Sequence, residues 1–399
     1  MTSERKYILF VDDEEILLQG LRRMMRSMRD EWDMAFLHSG WEALGYLEKN
    51  PVDVIVSDLR MSEMTGADLL TNVSRLYPDT VRIMLSGYAE DAGIYKSVGP
   101  SHQFLAKPCD PKIIMETISR SLYLRAQLGS TDLRSHITGI QHIPILPDIY
   151  REFMEEIVKP SASNGTISAI IDRDLGLSST ILKLTNSAYF SLPTRITNIR
   201  HAVQFLGTEK IHSLAVGTPL FEAADFDENK LPLLRRINNE ARAIATIAKS
   251  IANQEELGEG KIEESFCAGF MSRLGHVLLL MQPDDCFEKY REMLLANPIE
   301  RLELERDFFG AKPAEVGAYL LTLWGFSLGI VKAVLNHHNP AIMDKGNFDT
   351  TTVIHIASSL LNRSDNCLDK SHIVSLGKGD RLSIWQEIAA ETIKNGVAV

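Results

Sequence analysis

Residues 7–125 hold five short apolar runs, each followed by an amphipathic segment, and that alternation admits few folds. The runs are Tyr7–Val11, Met34–Leu37, Val52–Ser57, Val81–Leu85 and Gln103–Ala106. Val52–Ser57 is mostly β-branched or apolar, the composition of a strand covered on both faces. Apolar residues recur at helical spacing over Ile16–Met28, and Ser39 is placed to cap a helix over Gly40–Glu48. Further helices are expected near Ala67–Leu76, near Asp91–Val98 and from Pro111 onward. Strands alternating with helices predict an α/β fold, a doubly wound five-stranded parallel sheet.

In such sheets, sites form beyond the carboxyl ends of the strands. There the chain places Asp12-Asp13 after the first run, Asp58 after the third, Ser86-Gly87 after the fourth and Lys107-Pro108 after the fifth. Carboxylates packed together raise one another's pKa. A hard divalent cation relieves that repulsion, and Mg²⁺ takes a few carboxylates together with water and phosphate oxygens. A lysine and a hydroxyl beside them supply what a phosphoryl group needs.

The set FVDDEE, SDLRMSEMTG, MLSGYAE and FLAKP resembles the receiver domain of two-component response regulators. The resemblance covers roughly the first 125 residues and implies a flavodoxin-like fold with Asp58 as the nucleophile that takes a phosphoryl group from a histidine kinase. It implies Mg²⁺ held by Asp13, Asp58 and the Arg60 carbonyl, with Asp12 acting mostly through water. Lys107 would pair with the phosphoryl group, Ser86 would hydrogen-bond it, and Phe104 would be the aromatic switch. A cis Lys107-Pro108 bond is expected as well. Ser62 departs from the family, which usually has proline there. Arg60 and Tyr88 fall at the rim, where their bulk would slow water attack on the aspartyl phosphate.

After Pro147 strand patterns give way to helical periods. Helices are expected over Ile149–Val158, Thr166–Arg173, Ser178–Ser187, Ala202–Leu206, Thr208–Val216, Arg235–Ala252, Glu263–Met281, Cys286–Ala296, Glu300–Phe309, Pro313–Trp324, Ser327–Asn336, Thr350–Asn362 and Arg381–Ile393. IPILPDIYREF, the block from Ile170 to Gly207 and VGAYLLTLWGF followed by His337-His338 resemble the HDOD domain, an all-α relative of the HD metal phosphohydrolases. Leu175 stands where that family often has proline. HD hydrolases bind metal through an adjacent His-Asp pair and further histidines. None of the 11 histidines here precedes an aspartate. Where the resemblance places the His-Asp pair, the chain reads Ser272-Arg273, a fixed cation. Asn238-Asn239-Glu240 and Lys312-Pro313-Ala314 occupy other ligand positions. His337 and His338, adjacent on a helix, are expected to point apart and to cap carbonyls, with His201, His212 and His276 structural.

Net charge is −11 and is spread over the chain, with 15 basic and 19 acidic residues up to Arg125. That balance argues against a nucleic-acid binder, and with it a transcription factor. The longest uncharged run, Val316–Val331, is too short for the ~20 residues of a membrane span. Cys109, Cys267, Cys286 and Cys367 form no CxxC pair, which suits a reducing, cytoplasmic setting.

The expected organisation is a receiver domain over 1–126, a helical linker over 127–142, an all-α HDOD output domain over 143–365 and a helical extension over 366–399. The expected function is phosphoryl acceptance at Asp58, with Lys107 and Ser86 assisting and Asp12, Asp13, Asp58 and the Arg60 carbonyl as the metal set. The helical domain would signal by protein–protein contact without catalysis. Expected partners are a sensor histidine kinase, a downstream protein and a second copy meeting through the receiver. The competing reading is a receiver-controlled HD-type metal-dependent phosphohydrolase acting on cyclic dinucleotides.

Overall fold

The computed structural model describes residues 5–87, 100–186, 196–217, 221–225, 229–282, 288–289, 305–307, 310–342, 347–361 and 367–394, and elements are numbered over these residues. Strands β1 (Lys6–Val11), β2 (Trp32–Leu37), β3 (Val54–Asp58), β4 (Val81–Ser86) and β5 (Gln103–Ala106) pair in parallel in the order β2-β1-β3-β4-β5. This is the doubly wound sheet that the alternation predicts. Strand order reverses between β1 and β3, the place where such sheets open a crevice. Helices α1 (Glu15–Met24), α2 (Gly40–Leu47), α3 (Gly66–Leu76) and α4 (Pro111–Gln127) flank it. Ser39 Oγ accepts the Glu42 N–H at 3.2 Å, so the expected cap forms. A Cβ on Gly66 would lie 1.9 Å from the Asp58 carbonyl oxygen. Only glycine lets α3 begin hard against the end of β3. The helix expected over Asp91–Val98 lies outside the described residues.

The remainder is helical: α5 (Thr131–Gly139), α6 (Pro147–Ile157), α7 (Asn164–Ile171), α8 (Leu175–Asn186), α9 (Ile199–Leu206), α10 (Thr208–Gly217), α11 (Lys230–Gln254), α12 (Glu259–Met271), α13 (Leu274–Leu280), α14 (Pro313–Leu323), α15 (Leu328–Asn336), α16 (Thr350–Leu361), α17 (Lys370–Ser375) and α18 (Leu382–Lys394). Helix α11 is the spine, packed by α12, α16 and α18. The C-terminal helix is anchored through Glu255, which accepts from Lys378 at 2.6 Å, Arg381 at 2.8 Å and Trp385 Nε1 at 3.0 Å. Among the described residues no helix is long and apolar enough to cross a membrane.

One expected helix is broken in two, and one helix is unexpected. The helix expected over Glu263–Met281 breaks into α12 and α13 at Ser272-Arg273. There Ser272 Oγ donates to the Gly269 carbonyl at 2.7 Å, a local bond that competes with helix continuation. At the break, α13 is pressed onto α14: a Cβ on Gly275 would lie 1.8 Å from the Pro313 carbonyl oxygen. Helix α17 was not legible as a helical period. The expected helices over Cys286–Ala296 and Glu300–Phe309 fall largely outside the described residues.

Helices α4 and α5 are separated by a turn at Leu128–Ser130, where Ser130 Oγ caps α5 by accepting the Leu133 N–H at 3.3 Å. The α/β and helical regions share a buried boundary along α4, α5 and α14. Leu128, Leu133, Ile137 and Tyr319 are buried there.

Candidate functional site

Each expected strand-tip residue lies where its run ends. Asp12 follows β1, Asp58 closes β3, Ser86 closes β4 and Lys107 follows β5. Parallel register pairs Val11 with Ser57, Asp58 with Leu85 and Ser86 with Ala106, which sets these tips along one rim. Lys107 Nζ bridges two strands' carboxylates, 2.7 Å from Asp12 Oδ2 and 2.5 Å from Asp58 Oδ1. Asp58 Oδ2 accepts the Arg60 N–H at 2.6 Å, and Asp12 Oδ1 accepts the Glu14 N–H at 3.0 Å. Asp13 is turned to the β3–α3 loop, where its Oδ2 accepts the Ser62 N–H at 2.8 Å. Ser86 Oγ donates to the Gly87 carbonyl at 3.1 Å. Phe104 is buried on β5, and the Lys107-Pro108 bond is cis. Tyr88 lies outside the described residues.

The charges in this rim are unequal. Burial pushes the Asp58 carboxyl above its ordinary range, and Asp12 pushes the same way against Lys107 and the Arg60 N–H. Burial pulls the Lys107 ammonium down, but its bonds to Asp12 and Asp58 outweigh that and hold it above the usual lysine range. Among the described residues no three carboxylates, imidazoles or thiolates are drawn around one point. Lys107 stands between Asp12 and Asp58, and Ser62 holds Asp13 aside. The donors are nonetheless hard oxygens carrying excess negative charge, the set that Mg²⁺ takes.

The second expected locus has another character. Arg273, 3% exposed, donates Nε to Glu240 Oε2 at 3.2 Å and Nη2 to Ser358 Oγ at 3.3 Å. Here the structure corrects one expectation. The rings of His337 and His338 do not point apart but pack together, centroids 3.9 Å apart. Helix α15 ends at Asn336, and the chain's exit lets the two rings meet. His337 Nδ1 donates to the Val334 carbonyl at 2.7 Å, the carbonyl cap expected of it. Burial, with Arg273 nearby, drops the His337 pKa to about 3 and puts His338 well below its ordinary value. Asn238 serves the fold: its Oδ1 accepts the Leu175 N–H at 2.8 Å and its Nδ2 donates to the Arg173 carbonyl at 2.8 Å. That bond uses an N–H that a proline at 175 would lack. Asn186 likewise exchanges two 2.7 Å bonds with the Ile196 backbone, while Ser187, Ala188 and Tyr189 lie outside the described residues.

Sequence reasoning passed over a polar network at the opposite end of the sheet. Arg82 and His102 are buried there, and both reach the Thr138 carbonyl. Arg125 forms ion pairs with Asp53 and, at 2.5 Å, Asp79. The available signal was an arginine inside the apolar run Val81–Leu85.

Comparison with known proteins finds two domain models in the chain. The response regulator receiver domain model matches residues 8–119 and the HDOD domain model residues 143–340. The hydrogenase transcriptional regulatory protein HoxA of Cupriavidus necator is 32% identical over 131 residues, which are 32% of this chain and 27% of that protein. An uncharacterized protein of Treponema pallidum is 28% identical over 229 residues, 56% of this chain and 44% of its own. The chain thus spans less than half the length of these relatives. The MmoQ response regulator of Methylococcus capsulatus aligns at TM-score 0.46 and 21% identity, covering 61% of this chain and 97% of that one.

Proposed function

The chain belongs to the response regulators that join a receiver domain to an HDOD domain, and from that premise we propose that it accepts a phosphoryl group on Asp58 and signals through a non-catalytic helical domain. One observation carries the reading: a single ammonium, Lys107, ties Asp58 to Asp12 at the switch point of a parallel sheet. A receiver implies a phosphodonor such as a histidine kinase. Asp58 Oδ attacks the phosphorus and the bond to the donor nitrogen breaks, its electron pair staying on that nitrogen; the donor ring, already protonated on its other nitrogen, leaves as neutral imidazole. Lys107 then pairs with a phosphoryl oxygen in place of a carboxylate, and the Ser86 hydroxyl turns from Gly87 to hydrogen-bond another. Asp12, Asp13, Asp58 and the Arg60 carbonyl would hold Mg²⁺, which neutralises charge on the transferred group. Phe104 would change rotamer as Ser86 turns.

The helical domain's part in the proposal is recognition of a downstream protein. Supporting it, the Arg273 cation is already matched by Glu240, and His337 and His338 are neutral and packed on each other. The test incubates the chain with acetyl phosphate and Mg²⁺ and reads phosphorylation by intact mass. A single acid-labile adduct absent from Asp58→Asn supports the reading, and an adduct of equal yield in that variant refutes it. The hydrolase alternative is tested by cyclic-dinucleotide turnover after loading with Mn²⁺. Sedimentation of the beryllofluoride-loaded chain tests the homodimer.

A further inference from the structure

Strands β4 and β5 end at Ser86 and Lys107, and at their other ends they grip the helical region. Arg82 is the second residue of β4, and His102 immediately precedes Gln103, the first residue of β5. The Thr138 carbonyl, on the last turn of α5, accepts from Arg82 Nη2 at 2.8 Å and from His102 Nε2 at 2.7 Å. A carbonyl only accepts, so His102 carries its proton on Nε2. Its Nδ1 then accepts the Arg82 backbone N–H at 2.9 Å. Each ring nitrogen has a partner and burial keeps the ring neutral, while Arg82 Nη2, which only donates, lies 2.8 Å from the same Nε2. Next to it Gln103 Nε2 donates to the Thr322 carbonyl of α14 at 2.6 Å, under Gly325. Two backbone carbonyls of the helical region are therefore held by three side chains of the sheet.

From the opposite side Lys183 of α8 donates to the Gln141 carbonyl at 2.8 Å and lies over the Trp324 ring at 4.6 Å. Among the described residues no carboxylate pairs with either Arg82 or Lys183. Arg82 is met by carbonyls and the neutral His102 ring, and burial, with Arg82 nearby, lowers the Lys183 pKa to about 7, so Lys183 carries only part of its charge near neutral pH. Buried cations without counter-charge are costly, and hydration on opening recovers that cost. The segment between α4 and α5 is tied to the helical region through the Gly129 N–H, which donates to the Gly310 carbonyl at 3.3 Å.

We propose that Arg82, His102 and Gln103 form a latch that keeps the receiver docked on α5 and α14 in the unphosphorylated chain, and that phosphorylation of Asp58 works against this latch. The inference rests on the phospho-acceptor reading. The coupling element is the β4–β5 pair: four residues separate Arg82 from Ser86, about 13 Å of strand. Coupling between two sites is reciprocal. A ligand at the strand tips that loosens the latch must bind more tightly when the latch is already broken.

The test follows hydrogen exchange of peptides spanning 129–142 and 313–326 in the full chain, with and without Mg²⁺ and beryllofluoride. Gln103→Leu without beryllofluoride should exchange about tenfold faster there than the parent, approaching the parent's loaded state. It should bind beryllofluoride about tenfold more tightly, within the usual range of allosteric couplings. Arg82→Met should do the same more strongly; if it fails to fold, Gln103→Leu decides. Parent-like exchange in the variants overturns the latch. Unchanged exchange in a parent that does bind beryllofluoride overturns the coupling. Beryllofluoride bound equally by the parent and Asp58→Asn instead refutes the phospho-acceptor reading, and the unloaded variants still judge the docking.

Discussion

The strand-tip cluster and the Arg273 cluster both gather ionisable side chains from distant parts of the chain, and they leave them in opposite condition. At the strand tips two carboxylates share one ammonium, a third waits on a loop amide, and Asp58 is 8% exposed at the rim. Around Arg273 the cation has a carboxylate and a hydroxyl, and the nearby imidazoles His337 and His338 are neutral. Charge left unmatched beside solvent is what a phosphoryl group and a cation can act on. Charge matched and enclosed holds helices together. Proximity of titratable groups therefore does not by itself mark a site; the state of their balance does.

The sharpest way to break the comparison is phosphorylation itself. Asp58→Asn should lose all acetyl phosphate labelling, read by intact mass, whereas Arg273→Met should keep it within about twofold. The same Arg273→Met change should lower stability by about 1–3 kcal/mol in urea unfolding, because Glu240 then keeps only its exposed partner Arg236 at 3.1 Å. Adding Glu240→Gln to it should recover part of that loss. A neutral effect of Arg273→Met would mean that the pair is not structural.

Dependence on pH gives a third contrast. His102, His136, His142, His337, His338 and His355 all have depressed values, chiefly through burial. The unfolded chain protonates these rings below about pH 6.5 while the fold refuses the protons, so stability is full above that pH and declines as pH falls. Asp172 and Asp174, pushed up to about 6, act the other way, taking protons in the fold as pH drops through 6. The histidines outnumber them, so unfolding free energy should fall between pH 7.5 and 5.5. In His337→Gln the slope over this window should flatten by about half a proton on average, about 0.7 kcal/mol per pH unit. An unaltered slope would show that His337 is not held neutral.

The smallest expected effect concerns the loop. Ser62→Pro removes the N–H that engages Asp13 Oδ2. One such bond is worth about 1 kcal/mol, so Mg²⁺ should bind up to about fivefold more tightly in calorimetry. Unchanged or weaker binding would show that this amide does not compete for Asp13.

Asp12, Asp58, Ser86 and Lys107 were legible in the sequence because each terminates an apolar run, and a parallel sheet brings run ends together. The partner of Asp13 was not, since the Ser62 contact is made by a backbone amide that every residue but proline carries. Arg82 stood out as a charge in a buried strand, but its acceptor Thr138 is 56 residues away and is again a main-chain group. At Arg273 the sequence showed a cation where the resemblance places a ligand, and only the fold supplied Glu240. His337 and His338 misled because helical spacing was carried two residues past the end of α15.

The contact at Gly275 bears on how any motion of the receiver travels. Helices α13 and α14 touch backbone to backbone there, with no side chain between them to slide or change rotamer. They act as one lever: Thr322, near one end of α14, is gripped by Gln103, and Gly275, pressed on Pro313 at the other end, lies two residues past Arg273. A tilt of α14 a few degrees about this fulcrum would reach the Arg273–Glu240 pair without any chain of intermediate side-chain moves. The Arg273 cluster would then feel a change at the strand tips mechanically.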